Sequence, residues 1–167
     1  MHLLYEPILR LENTDLAIAI REDDLLFPLI ESVHVLAICL VVGSISIVDL
    51  RLLGLASIDR PVGRLMQAIL PITWGAFGLA VAAGGLLFAS HATKYSQNGF
   101  FLAKLLLIAV AGLNMALFHF IIAGDLPRWE KDALPPLPAR FAGGASLLLW
   151  IAVVACGRWI GFTMPVG

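Results

Sequence analysis

Histidine, cysteine and charge are all scarce in this 167-residue chain, and each shortage removes a class of function. The two cysteines, Cys39 and Cys156, fit no zinc spacing and make no disulfide framework, so both read as buried thiols inside apolar runs. Charged residues form 14% of the chain and sum to a net charge of −1. That leaves no basic field for nucleic acid, and no nucleic-acid motif occurs. The opening stretch MHLLYEPILRLENTD lacks a basic n-region and a long apolar h-region, which argues against a cleaved signal peptide. The first long apolar run then acts as its own insertion signal. Nucleophile triads and phosphate loops are missing too, since Gly75-x-x-Gly78 and Gly84-Gly85 lie inside apolar runs without the strand a phosphate loop needs.

What the chain has in excess is hydrocarbon. At 60% hydrophobic residues and a mean hydropathy of +0.92 it is too apolar for a soluble domain of this size. The expected fold is all-α: a single domain, 1–167, forming an integral membrane four-helix bundle with a short interfacial amphipathic helix at its N-terminus. Residues of about 14–24 form that helix, with Asn13, Thr14 and Asp15 offering an N-cap and Arg21-Glu22-Asp23-Asp24 leading into the first span. Spans follow at about 27–53, 65–90, 100–123 and 141–162, each long enough to cross about 30 Å of hydrocarbon. The second carries no charge and many small residues, among them Gly78 and Ala82, which allow close helix approach in lipid. The short loop HATKYSQNG makes the second and third spans antiparallel neighbours.

Ionisable residues inside such spans are the candidates for function, because each is costly in lipid and must face protein or trapped water. Glu31 and Asp49 are eighteen positions apart and share one helix azimuth, with His34 about 60° away. In the third span Lys104 and His119 also fall within about 60° of each other, and Asn114 accompanies them. A polar interior of Asp49, Lys104, Asn114 and His119, together with Glu31 and His34, is therefore expected. Asp49 is placed to pair with His119, Arg51 or Arg64.

Orientation follows from Lys and Arg. The first and third connections hold Arg51, Arg60, Arg64, Arg128, Lys131 and Arg140, against Arg10, Arg21, Lys94 and Arg158 on the other side. This bias puts those connections in the cytoplasm and both termini on the outer, periplasmic face of the inner membrane.

Three constellations follow from these residues. Haem b held between helices by His34 and His91 uses the chemistry of two axial imidazoles, although the two backbones differ in depth by about 10 Å. Glu31-Ser32-Val33-His34 places a carboxylate and an imidazole three apart, as in metal-binding bundles; two such motifs are needed, so a metal at Glu31 and His34 requires a symmetric dimer. The economical alternative is a structural contact of Glu31 or His34 with Lys104.

The run Ile30-Glu31-Ser32-Val33-His34, Gly43, Asp49-Leu50-Arg51-Leu52-Leu53-Gly54, with Lys104 and Asn114, resembles a family of uncharacterised bacterial inner-membrane proteins, a domain of unknown function. More distantly the plan is similar to the copper-resistance D type and cytochrome b561 type of small membrane proteins. The resemblance implies four membrane helices. The leading expectation for function is a non-catalytic redox or metal-linked subunit, bound to the lipid bilayer and to further copies or a larger complex. The alternatives are a structural or assembly subunit without cofactor and a small transporter.

Overall fold

The computed structural model describes residues 2–164, with side chains from Tyr5 onward. Eight α-helices follow one another in chain order, and no strand occurs among the described residues. Two short helices, α1 (His2–Glu12) and α2 (Asp15–Glu22), precede the first long one. Thr14 is the N-cap of α2, its side chain accepting from the Ala17 amide at 3.4 Å. The sequence led to one helix here; α1 is additional.

Among the described residues, four helices are long and apolar enough to cross a membrane. They are α3 (Leu26–Leu52), α4 (Val62–Ser90), α6 (Gly99–Leu117, with its continuation to Trp129) and α8 (Leu137–Thr163). At 1.5 Å per residue the 27 residues of α3 reach about 40 Å, longer than a hydrocarbon core. Asp23 satisfies its first amides, accepting from Leu25 and Leu26 at 2.8 and 3.0 Å. At the other end Gly54 adopts φ +74°, a left-handed turn that favours glycine. The short helix α5 (Ala92–Gln97) joins α4 to α6. Beyond α6 the helix widens into a π turn, Phe118–Ile122, tightens into a 3-10 turn, Ala123–Asp125, and ends in α7 (Leu126–Trp129).

The four spans run antiparallel in sequence, which places α1, α2, α5 and the C-terminal end of α8 at one face, here the terminal face. The first and third connections form the opposite loop face. Along the spans α3 packs on α4 and α6 packs on α8, while α3 also touches α8. Buried Ala37 and Val41 of α3 lie level with small residues of α4, Ala76, Ala80 and Ala83. The outer surface is apolar as well: Leu36, Leu40, Leu106, Leu148 and Ile151 are exposed, as suits helices solvated by acyl chains. The one continuous core cluster among the described residues lies toward the loop face and joins Val48, Leu52, Val62, Met66, Phe118, Trp129 and Ala139.

Arg51 locks that face together. It is fully buried, and its guanidinium donates to the carbonyls of Arg60 (2.9 Å), Glu130 (3.3 Å) and Asp132 (2.9 Å). The Val62 amide donates to Glu130 O as well, at 3.0 Å, so one side chain ties the first connection to the third. At the terminal face a smaller clasp holds α1 and α2. Glu12 accepts from the Thr93 amide at 2.8 Å and from the Thr93 hydroxyl. Arg21 lies 3.8 Å from Glu12 and donates to Ser90 O at 3.4 Å.

Candidate functional site

Histidine in a membrane helix needs a partner for each ring nitrogen, and His34 finds both across helix boundaries. Its Nδ1 lies 2.8 Å from the carbonyl of Ala80 on α4. A carbonyl only accepts, so the geometry assigns the proton to Nδ1 and leaves Nε2 as the acceptor. Nε2 faces Nζ of Lys104, on α6, at 3.5 Å. The ring packs against Gly84 of α4: a Cβ built there would stand 2.7 Å from His34 Cε1. The Lys104 ammonium passes Gly157 of α8, whose built Cβ would stand 3.6 Å from Nζ, and Cys156 is a further neighbour. All four spans thus contribute to one polar point. Among the described residues no carboxylate comes within ion-pair distance of either base; the two ion pairs present are Arg21–Glu12 and Arg128–Asp125.

The remaining candidates are dispersed. His91 caps the end of α4 with its ring edge-on to Phe27 at 5.7 Å and Nδ1 3.1 Å from the Ser90 hydroxyl. Phe27 is seven residues from His34 on α3, about 10 Å along the axis, so the two imidazoles are not brought to one point. Burial holds the His91 imidazole below the ordinary histidine range, helped by Lys94 and Arg21 and opposed by Glu12. Glu12 is pushed up by burial, but hydrogen bonds from Thr93 and the charges of Arg21 and His91 outweigh this and hold it below the usual carboxylate range.

Glu31 corrects the expected inward stripe: it is exposed. It shares the azimuth of Asp49, yet α8 meets α3 at Gly143, where a Cβ would stand 2.9 Å from Leu52 Cβ and 3.0 Å from Asp49 O. About 27 Å further along α3 no helix covers Glu31. Its charge instead adds to burial in raising the Tyr95 phenol. His119 is exposed too, in the π turn, its ring edge-on to Phe118 at 6.0 Å. An azimuth within about 60° of Lys104 therefore does not bring His119 inward.

Asp49 and Asn114 do face inward. Asn114 donates to Ala142 O at 3.0 Å, linking α6 to α8. Asp49 is 3% exposed and lies beside Ser146 of α8; it forms none of the pairings expected with His119, Arg51 or Arg64. Between the two polar levels, Ser44 and Thr73 join their hydroxyls at 2.8 Å. Gly84, Gly157 and Ser146 had no signal of their own in the sequence, beyond the abundance of small residues.

Residues 25–163 match DUF6644, a family of unknown function. The chain belongs to the DUF6644 family. The family segment starts at the foot of α3 and closes with α8, so it contains His34, Asp49, Arg51 and Lys104, while α1 and α2 precede it. No curated protein and no solved structure matches the chain. The likeness to the copper-resistance D and cytochrome b561 types gains no support from these comparisons.

Proposed function

We propose that this DUF6644 protein is a non-catalytic, multi-pass subunit of the bacterial inner membrane that handles protons through His34 and Lys104 on behalf of a redox partner or a larger complex. The observation that carries this reading is the 3.5 Å approach of two bases with no carboxylate beside them. A pair serving only to lock helices would be expected to join opposite charges. Two bases at this distance hold one shared proton readily, whereas a second would bring like charges together at a cost on the order of 5 kcal/mol for an effective dielectric of 20. The excess of Lys and Arg in the first and third connections supports termini on the periplasmic side. That topology sets the pair in the outer half of the bilayer.

Nitrogen-15 histidine resonances of the protein in nanodiscs test the proposal. His34 is expected as the Nδ1–H form, with a protonation step that changes in Lys104→Met while the melting curve stays close to wild type. A lowered melting temperature with an unchanged His34 titration would make the pair a structural lock.

A second reading has one observation in its favour. An imidazole whose Nδ1–H is fixed by a backbone carbonyl presents Nε2 as metal-ligating histidines do. His34 would be the ligand for a haem or metal group, which would supply electron transfer, and Lys104 would have to turn aside. His91 does not fit as the second axial ligand, and Glu31 makes no hydrogen bond or ion pair with His34 among the described residues. An ultraviolet–visible spectrum after haem-replete expression decides this: no Soret band, or one unaltered by His34→Ala, ends the haem reading.

A further inference from the structure

Asp49 is a carboxyl that the His34–Lys104 reading does not use. It is 97% buried inside α3, fifteen residues from His34, which is about 22 Å along the axis. Its Oδ2 has no hydrogen-bond partner. The contact of Gly143 with Asp49 O and Leu52 keeps α8 pressed against it, and the Ser146 hydroxyl lies beside it on the same helix.

The nearby cations are turned elsewhere or held off. Arg51, two residues on, projects about 200° around the helix and binds the carbonyls of Arg60, Glu130 and Asp132. Arg140 leaves α8 one turn before Gly143 with its Nε buried and unpaired, yet no nitrogen of it reaches ion-pair distance of a carboxylate among the described residues. Arg64, on α4, makes no ion pair with Asp49 either, and Glu130 of the third connection is itself an anion and offers no neutralisation. A carboxylate buried without a cation carries a far larger desolvation penalty than the neutral acid with one unmet hydrogen bond.

We infer that Asp49 is a proton-binding site, loaded from the loop face beside Arg140, and separate from the His34–Lys104 pair. The exchange is a transfer of one proton between water and the carboxyl, with no other bond made or broken. Buried Ala37, Val41 and Ala76 and the Ser44–Thr73 hydroxyl pair occupy the stretch between the two levels, and the two sites load from opposite faces. This inference does not depend on the function proposed for His34.

Infrared spectroscopy of the membrane-reconstituted protein tests it. The wild type should show the C=O stretch of a protonated carboxylic acid, shifted by deuterated buffer, lost in Asp49→Asn and moved but retained in Asp49→Glu. The band should persist in His34→Ala and Lys104→Met, which separates this result from any failure of the His34 reading. A band that is absent from the wild type and emerges in Arg140→Gln would show an Asp49–Arg140 ion pair and overturn the proposal. So would a band bleached when sodium replaces choline, because the ligand would then be a metal cation.

Discussion

Arg51 and Lys104 are both cations carried inside apolar helices, and the protein treats them oppositely. Arg51 is enclosed and donates through Nε and Nη2 to three backbone carbonyls, with Nη1 left without a partner, so its planar fork fastens two loops together. Lys104 is half-buried and faces another base. A group with fixed neutral acceptors has one low-energy state; a group facing a second base has at least two, differing in where the proton sits. The loop face is therefore the part built to stay still, and the pair in the terminal half is the part able to change.

The sharpest way to break this contrast is to remove each cation in turn. Arg51→Met removes the three hydrogen bonds that join the first connection to the third and should lower stability by about 3–5 kcal/mol, read as a large drop in melting temperature in detergent. Lys104→Met should change it by less than about 1 kcal/mol, because an apolar group of similar length replaces a half-buried base whose polar contact is one long approach to another base. Equal losses in the two variants would erase the distinction.

Glycines sharpen it next. Gly143→Ala drives a methyl against the Asp49 backbone and Leu52 Cβ, and should cost about 1–3 kcal/mol. Gly85→Ala meets open space and should be neutral or stabilising by up to about 1 kcal/mol from helix propensity. Asn114→Leu removes one interhelical bond and should cost about 1 kcal/mol by the same melting assay.

The smallest effect belongs to the clasp on α1 and α2. His91 is held below the ordinary range in the docked state, so its contribution is complete above about pH 6.5 and declines as pH falls through that value. Glu12 is held below its usual range, so its contribution is present above about pH 4.5 and is lost on further acidification. Both act in one direction. Amide protection factors over residues 15–22, corrected for the pH dependence of intrinsic exchange, should fall about fivefold between neutral and mildly acidic pH, the equivalent of roughly 1 kcal/mol, while protection beside Arg51 stays unchanged.

Much of this arrangement is legible in the sequence. Four apolar runs specify four spans, Thr14 declares the start of α2, and the charge of Asp49 demands an inward position. A helical wheel gives an azimuth, however, and not what stands opposite. Glu31 has the azimuth of Asp49 and is exposed because α8 covers only one of them. His119 is exposed although the wheel sets it within about 60° of Lys104. The Glu12–Thr93 and Arg51–Asp132 contacts each join residues about eighty positions apart, and no local pattern encodes which carbonyl or carboxylate will be waiting there.

The alanine-rich seam between α3 and α4 has a consequence for how the chain assembles. Alanine has no rotamer to freeze, so closing the contact among Ala37, Ala76, Ala80 and Ala83 sacrifices almost no side-chain entropy. The first two spans are joined by a short connection and emerge consecutively, and the Ser44–Thr73 bond already pins their register. They form a hairpin able to zip shut before the second half of the protein is synthesised, onto which α6 and α8 then dock as a later pair.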